Sequence, residues 1–112
     1  VREVRKLVPS MRSRDGAGVA LRRALGHRGI DMLDPFLMLD EIRSRDQRDW
    51  IAGFPEHPHR GFETVSYLLG GAFEHRDSVG NHGRIDAGAT QWMTAGRGIL
   101  HEEMPKQEDG QE

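Results

Sequence analysis

Two short segments of the 112-residue chain each place potential metal-binding side chains two residues apart. In the first, His57 and His59 flank Pro58, and in the second, Glu103 follows His101 by two residues. On an extended backbone, residues i and i+2 project to the same face, so each pair presents both donors to one side. Pro58 favours such a backbone because it fixes its own φ and disfavours helix at the preceding residue. Together the segments could supply three imidazoles and one carboxylate to one site.

The same histidines have a second interpretation, as hydrogen-bonded structural residues of half-buried strands, and spacing alone does not decide between the two. If an ion is bound, imidazole and carboxylate donors suit Fe(II), Mn, Co, Ni, Cu or Zn, and the ligand type does not choose among them. A six-coordinate ion held by four protein donors would keep two positions for water, dioxygen or substrate. The chain has no cysteine, which excludes thiolate ligands and disulfides.

Composition narrows the class of protein and partner. The formal net charge is −2, with 16 Lys and Arg against 18 Asp and Glu. Direct nucleic-acid binding usually shows a strongly basic face, so a protein partner is easier to reconcile with these charges. No apolar run approaches the roughly 20 residues of a membrane span, so no membrane interaction is expected. The absence of cysteine and of an apolar leader favours a cytoplasmic location.

The elements that must position the candidate donors are short strands. Gly and Pro residues interrupt the chain at short intervals, and long stretches of helical periodicity are missing. Gly70 and Gly71 predict a hairpin turn between two strands, and residues 40–50 a surface loop or a single helical turn. Strands are predicted over an edge segment at 4–8, a buried run at 36–39, and residues 19–25, 62–69, 72–77, 90–94 and 99–104. A short helix would also fit 19–25. This spacing predicts an all-β sandwich or barrel.

Longer motifs carry a resemblance to a known family. The pattern His57-x-His59-x-x-x-Glu63 resembles the first motif of cupins, and residues 34–37, 54–65 and 91–101 closely resemble the pirin family within that superfamily. The resemblance runs from about residue 4 to residue 105. It implies a double-stranded β-helix, the cupin or jelly-roll barrel, as a domain over residues 1–105. A flexible tail is expected at 106–112.

The resemblance also implies the roles of individual residues. In pirins the positions of His57, His59, His101 and Glu103 hold the metal, which is iron, and other divalent metals occupy the site in some members. Glu63 is a ligand position in many cupins, and its even spacing from His57 and His59 would allow it to face the same side. The pirin pattern instead leaves it as a base near an open coordination position or as a support. Glu103 and Glu63 are therefore the candidate catalytic residues. His75 is expected to be solvated or to support the site from outside.

Two functions of different class follow from the resemblance. Some pirins are quercetin 2,3-dioxygenases, which open the heterocyclic ring of a flavonol, and an apolar pocket for this small aromatic substrate could come from Phe54, Phe62, Trp92 and Met93. Other pirins are non-enzymatic regulators that bind a transcription factor or a metabolic enzyme according to the oxidation state of the iron. An excess of 11 basic over 7 acidic residues in 1–48 could face an acidic protein partner.

The chain departs from the family in length. Pirins usually carry two cupin barrels, and here the second barrel and the strands expected after Glu103 are missing. The barrel is therefore expected to be short and incomplete, in either a fragment or a naturally short form. Exposed strand edges tend to pair with another chain, so a homo-oligomer with strand exchange is expected.

Overall fold

Strands dominate the computed structural model, which describes residues 1–106. A single turn of 3-10 helix at Gln47–Asp49 interrupts them in this part of the chain. In chain order the strands are β1 Met11–Asp15, β2 Val19–Leu25, β3 Leu39–Glu41, β4 Phe54–His59, β5 Glu63–Tyr67, β6 Ala72–Asp77, β7 His82–Asp86, β8 Thr90–Thr94 and β9 Ile99–Lys106. All strand pairings are antiparallel. The predicted all-β class is confirmed.

The strands form three sheets, ordered β1-β2-β3, β4-β9-β6-β7 and β5-β8. In the first, the Arg23 guanidinium on β2 donates two hydrogen bonds to Asp40 on β3, both of 2.9 Å, and one to Asp15 at the end of β1. A planar guanidinium suits this two-pronged contact with a carboxylate. The ion pairs therefore fix β1 and β3 on either side of β2.

The four-stranded sheet brings the candidate donors together because β9 lies between β4 and β6. In its registers His57 stands opposite His101, and His75 stands opposite Glu103. Gly53 precedes β4 with a φ of 63°. A Cβ at Gly53 would come within 2.7 Å of the Pro105 side chain, so glycine allows β4 to start close to β9.

The two-stranded sheet alternates strictly between an inner and an outer face. On the inner face of β8, Met93 is buried and forms an apolar cluster with Ala95 and with Ile99 of β9. On the outer face Val65 stands opposite Trp92, and these side chains are 53% and 68% exposed. One face of this sheet is therefore packed against the core, while the other presents apolar side chains outward.

Several sequence predictions are confirmed as elements. The strands predicted at 19–25, 72–77 and 90–94 have these bounds in the structure, and the loop with a helical turn lies within 40–50. Lys106, predicted to start a flexible tail, is the last residue of β9, and the rest of that tail lies outside the described residues. Within residues 1–106, no helix combines the length and apolarity needed to cross a membrane.

Three other predictions are wrong. Residues 4–8 form no strand despite their alternation. The run at 36–39 is exposed rather than buried, because only its last residue joins a strand, the short β3. Gly70 and Gly71 connect different sheets instead of closing a hairpin, since β5 pairs with β8 and β6 pairs with β7 and β9. Strand β7 was not predicted, because its sequence is mostly polar and Ile85 is its buried apolar residue.

Candidate metal centre

Three histidine side chains converge at the junction of β4 and β9. The Nε2 atom of His57 lies 2.8 Å from Nε2 of His101 and 3.0 Å from Nε2 of His59. Two nitrogens bound at right angles to one ion, each about 2.0–2.1 Å away, are separated by about 3.0 Å. Both distances from His57 Nε2 therefore fit donors to one divalent metal ion, and the three donor atoms all lie within 4.8 Å of one another.

The backbone holds His57 in the tautomer that a metal ligand needs. Nδ1 of His57 lies 2.7 Å from the carbonyl oxygen of Pro55. Because a carbonyl oxygen only accepts, Nδ1 carries the hydrogen and Nε2 keeps its lone pair. A ligating histidine usually donates its second ring N–H to such an acceptor. The lone pair of His57 is thus directed toward the other two imidazoles.

Burial favours the neutral form of two of the three histidines, His101 and His59. His101 is only 2% exposed, and burial followed by the proximity of His57 and His59 lowers its pKa to about 4. Burial and, to a smaller extent, His57 also lower the pKa of His59. Neutral imidazole is the form that binds metal, so protons compete little with an ion at pH 7.

Glu103 lies next to this cluster but in a second, overlapping group. Within residues 1–106, donor atoms that approach one another within 4.8 Å form two groups, His57 with His59 and His101, and His75 with His101 and Glu103. One Glu103 oxygen accepts a 3.1 Å hydrogen bond from the Ser66 hydroxyl of β5. The structure therefore brings the three predicted histidines together and places Glu103 beside His101, without joining all four donors in one group.

Glu63 lies on the opposite face of β5 from Ser66. Its carboxylate accepts hydrogen bonds from Trp92 Nε1 at 2.7 Å and from the Thr94 hydroxyl at 3.2 Å, both on the exposed face of β8. The parity argument that aligned Glu63 with His57 and His59 fails at Gly61, where φ is 82° and the chain leaves the four-stranded sheet. This position does not suit a base or a ligand at the histidine cluster.

His75 is enclosed beside the histidine cluster, which excludes the solvated alternative and leaves the supporting role as a prediction. It is 5% exposed rather than solvated, and its Nε2 lies 3.1 Å from an Asp77 oxygen. Burial raises the pKa of Asp77, but hydrogen bonds from His75, Asn81 and Val79 outweigh it and lower the pKa to about 2. The His-x-Asp spacing on β6 puts both side chains on one face, as the alternation of a strand predicts.

An open cleft of about 550 Å³ borders His59. The ring of Phe62 packs edge-on against that of His59, with centroids 5.0 Å apart. Of the four residues predicted to form an apolar pocket, Phe62 alone lines this cleft. Met93 is in the core, Trp92 faces outward, and Phe54 lies beside Gly16. The cleft lining consists of Pro58, His59, Arg60, Phe62, Ser78, Gly98, Ile99 and Leu100.

In this chain an antiparallel all-β domain directs a group of histidines to one point, and the domain is of the cupin class with a candidate metal site. The particular family follows from comparison with known proteins. The family model described as Pirin matches residues 18–112, and the chain belongs to the pirin family.

Relatives and solved structures agree with this assignment. The chain is 52% identical over 110 residues to a pirin-like protein of Caulobacter vibrioides, covering 98% of this chain and 40% of that protein. It is 50% identical over 103 residues to pirin of Homo sapiens, covering 91% and 34% respectively. A crystal structure of quercetin 2,3-dioxygenase from Acinetobacter baumannii matches with a TM-score of 0.72 and 29% identity, over 88% of this chain and 33% of that one. The chain thus spans well under half the length of these proteins.

Proposed function

We propose that this chain binds Fe(II) through His57, His59, His101 and Glu103 and supports oxygenation of a flavonol, as a quercetin 2,3-dioxygenase does. The observation that carries the proposal is the position of His57 Nε2, which lies 2.8 Å from Nε2 of His101 and 3.0 Å from Nε2 of His59. Glu103 follows His101 by two residues on β9, so both side chains lie on the same face. The name of the Acinetobacter baumannii structure supports the choice of reaction.

The donor set is compatible with several ions. Three neutral imidazoles and a carboxylate suit Fe(II), and Mn, Co, Ni, Cu and Zn accept the same donors. We favour Fe(II) because of the family resemblance. When bound, such an ion supplies a Lewis acid that lowers the pKa of a coordinated hydroxyl and orients substrate.

The residues around the site would position the substrate and receive its proton. The cleft beside His59 is open and partly apolar, through Phe62, Ile99 and Leu100, which suits one face of a flat aromatic ring system. Glu103 brings a carboxylate oxygen within 4.8 Å of a ring nitrogen of His101 and is the proposed acceptor of the hydroxyl proton. Ser66 holds that carboxylate in place through its hydrogen bond.

The test combines metal analysis with a flavonol assay. The full chain is reconstituted anaerobically with Fe(II), its metal content is measured, and loss of quercetin absorbance is followed together with oxygen uptake. We expect turnover that His59→Ala abolishes and that His82→Ala, a change at an exposed histidine of β7, leaves intact. Full metal occupancy without turnover would contradict the enzymatic proposal.

A second candidate function is an iron-dependent regulator that binds another protein. The observation that favours it is an exposed apolar segment that includes Phe36, Leu37 and Met38, which are 53–62% exposed. Clustered exposed apolar residues commonly mark protein interaction sites. In this case iron-loaded chain would show no flavonol turnover, and its affinity for a protein partner would differ between the ferrous and ferric states.

We also propose that the chain forms a homo-oligomer through its two-stranded sheet. Among residues 1–106, β5 and β8 pair only with each other, so each keeps one free edge. Free edges pair readily with strands of another chain. The exposed Val65, Tyr67 and Trp92 side chains would be covered in the same contact.

A further inference from the structure

His75 and Asp77 form a buried pair on β6 that the proposed site does not use. Nε2 of His75 lies 3.1 Å from an Asp77 oxygen, and the two side chains are 7% and 2% exposed. Asp77 stands opposite His101 in the pairing of β6 with β9. The ring of His75 lies next to that of His101, with centroids 5.4 Å apart. The pair therefore borders one of the proposed metal ligands.

The hydrogen bonds of Asp77 determine which nitrogen of His75 carries hydrogen. Oδ1 of Asp77 accepts from the backbone N–H groups of Val79 and Asn81, and Oδ2 accepts from the Asn81 side-chain amide at 2.9 Å. Donors on both oxygens favour the ionised carboxylate, which can only accept a hydrogen bond. Nε2 of His75 faces Oδ2 and therefore donates to it. In the neutral imidazole, Nδ1 then keeps the lone pair.

His101 has the opposite requirement. Its Nε2 lies 2.8 Å from Nε2 of His57 in the candidate metal centre, so this atom must keep its lone pair to bind an ion. Neutral His101 then carries its hydrogen on Nδ1. The Nδ1 atoms of His75 and His101 are both buried and have no hydrogen-bond partner among residues 1–106. Buried polar atoms are nearly always paired, and here one of the two is an acceptor and the other a donor.

The spacing of the two rings suits a hydrogen bond between these atoms. Two imidazoles joined end to end by an N–H···N bond of about 3 Å have centroids about 5 Å apart. The centroids of His75 and His101 are 5.4 Å apart. A ligating histidine usually donates its second ring N–H to an acceptor, as His57 does to the carbonyl oxygen of Pro55. His75 offers the corresponding acceptor to His101.

We propose that His75 and Asp77 are positioning residues for the metal centre. With His101 bound to an ion through Nε2, its Nδ1–H donates to Nδ1 of His75 after a small rotation of the rings, and Nε2–H of His75 donates to Asp77. The carboxylate thereby fixes the tautomers of both histidines and makes His101 a more basic ligand. The inference rests on the proposed function for the metal. It assigns to two residues that do not bind the ion a part in setting its affinity and reduction potential.

The tautomer of His75 can be measured without a metal. Long-range proton–nitrogen correlation NMR of the metal-free full chain at pH 8, where an ordinary imidazole is neutral, distinguishes Nδ1–H from Nε2–H. We expect Nε2–H in wild type and Nδ1–H in Asp77→Asn. The backbone donors of Val79 and Asn81 require an oxygen at the position of Oδ1, so the new amide nitrogen faces His75 and donates to it. An Nδ1–H tautomer in wild type would overturn the inference.

Metal affinity and reduction potential test whether the pair acts on the ion. His75→Leu removes the acceptor, and we expect affinity for Co(II) to fall by about 10–100-fold, the loss typical of such partners. The Fe(III)/Fe(II) potential should rise, because a less basic His101 stabilises the ferric ion less. His75→Asn keeps a carbonyl oxygen near the position of Nδ1 and should restore most of both. Asp77→Asn should resemble His75→Leu although His75 is retained.

The matched control is His82→Leu, the same substitution at an exposed histidine of β7, which should change neither quantity. Circular dichroism verifies the fold of each variant, and Asp77→Asn provides the test if His75→Leu does not fold. Equal losses in His75→Leu and His75→Asn, or an unchanged potential in Asp77→Asn, would overturn the inference. The expected tautomers in a wild-type chain that binds neither Co(II) nor Fe(II) would contradict the proposed function while supporting the hydrogen-bond assignment.

Discussion

The four-stranded sheet and the two-stranded sheet differ in how their strands are supported. In the first, β9 has a hydrogen-bonded neighbour on each side, and its inner residues His101 and Ile99 are buried. In the second, β5 and β8 have one described neighbour each, and the outer face exposes Val65 and Trp92. Intrinsic strand propensity does not account for the difference, because the better-supported sheet contains the proline-rich β4 and the polar β7, whereas β5 and β8 are richer in β-forming residues.

The candidate metal donors are distributed unequally between the two sheets. Every histidine of the two donor groups lies on β4, β6 or β9, and the two-stranded sheet contributes Ser66 as a hydrogen-bond donor to Glu103. Ligand geometry is most precise on elements whose own positions are fixed by neighbours. The comparison indicates that the four-stranded sheet positions the site, while the two-stranded sheet covers it and presents a surface for association.

The largest expected effect concerns the contact that joins the two sheets. Met93→Ala removes the buried β8 side chain that clusters with Ile99 of β9, and we expect a loss of about 2–5 kcal/mol in the free energy of unfolding. Urea denaturation measures it. The control is Val65→Ala on the exposed face of β5, expected to change stability by no more than about 0.5 kcal/mol. Equal losses in the two variants would show that the sheets do not share a core.

Substitutions in the two sheets should differ even more clearly in their effect on metal affinity. His101→Ala removes the residue common to both donor groups, and we expect affinity for Fe(II) to fall by more than about 100-fold, beyond the loss typical of an indirect partner. Thr94→Ala, which removes a hydrogen-bond donor to Glu63 on the outer face, should leave the affinity unchanged. Anaerobic isothermal titration calorimetry compares them. A comparable loss in Thr94→Ala would mean that Glu63 contributes to the site.

The sequence predicted the all-β class and the local spacing of the histidines, but not how the strands divide among the sheets. The i, i+2 spacing of His57 and His59 is a local property of a strand, and the backbone of β4 preserves it. The parity of Glu63 could not be carried from β4 because Gly61 turns the chain into another sheet. Sheet membership depends on distant pairings, which also explains why Gly70 and Gly71 were mistaken for a hairpin turn.

Local sequence patterns also failed to predict which side chains are buried. Phe36 and Leu37 have core composition but are exposed, whereas His75 has surface composition and is buried beside Asp77. The strands that flank a residue, rather than its type, decide these cases. A charged partner two residues away was the only local indication that a histidine could be enclosed.

A pH titration of stability distinguishes the buried histidines from surface ones. Burial lowers the pKa of His101 to about 4, below the value near 6.5 expected when the chain is unfolded. Between these values the unfolded state binds more protons, so the metal-free protein should lose stability as pH falls from 6.5 to 4. Urea denaturation with a chelator present, at pH 7 and pH 5, measures the loss. The loss should be smaller in His101→Gln and undiminished in His82→Gln.

The smallest effect on folding, yet an informative one, is expected on the outer face of the two-stranded sheet. Val65→Lys places a charge among exposed apolar side chains, so the stability of the monomer should change by no more than about 0.5 kcal/mol. Association through this sheet should weaken, because a lysine at a strand pairing surface opposes contact with a second copy. Light scattering coupled to size-exclusion chromatography, over a range of concentrations, measures the shift toward monomer.

The matched control is Val79→Lys, the same substitution at a residue that is 69% exposed in the turn after β6. Both variants add one positive charge, so a general change in solubility would affect them equally. Dissociation by Val65→Lys alone assigns association to the two-stranded sheet. Dissociation by Val79→Lys alone would assign it to the four-stranded sheet instead. If the wild-type chain is monomeric at every concentration, copies of the chain do not pair with one another. The exposed face of β5 and β8 is then covered by a different partner or by none.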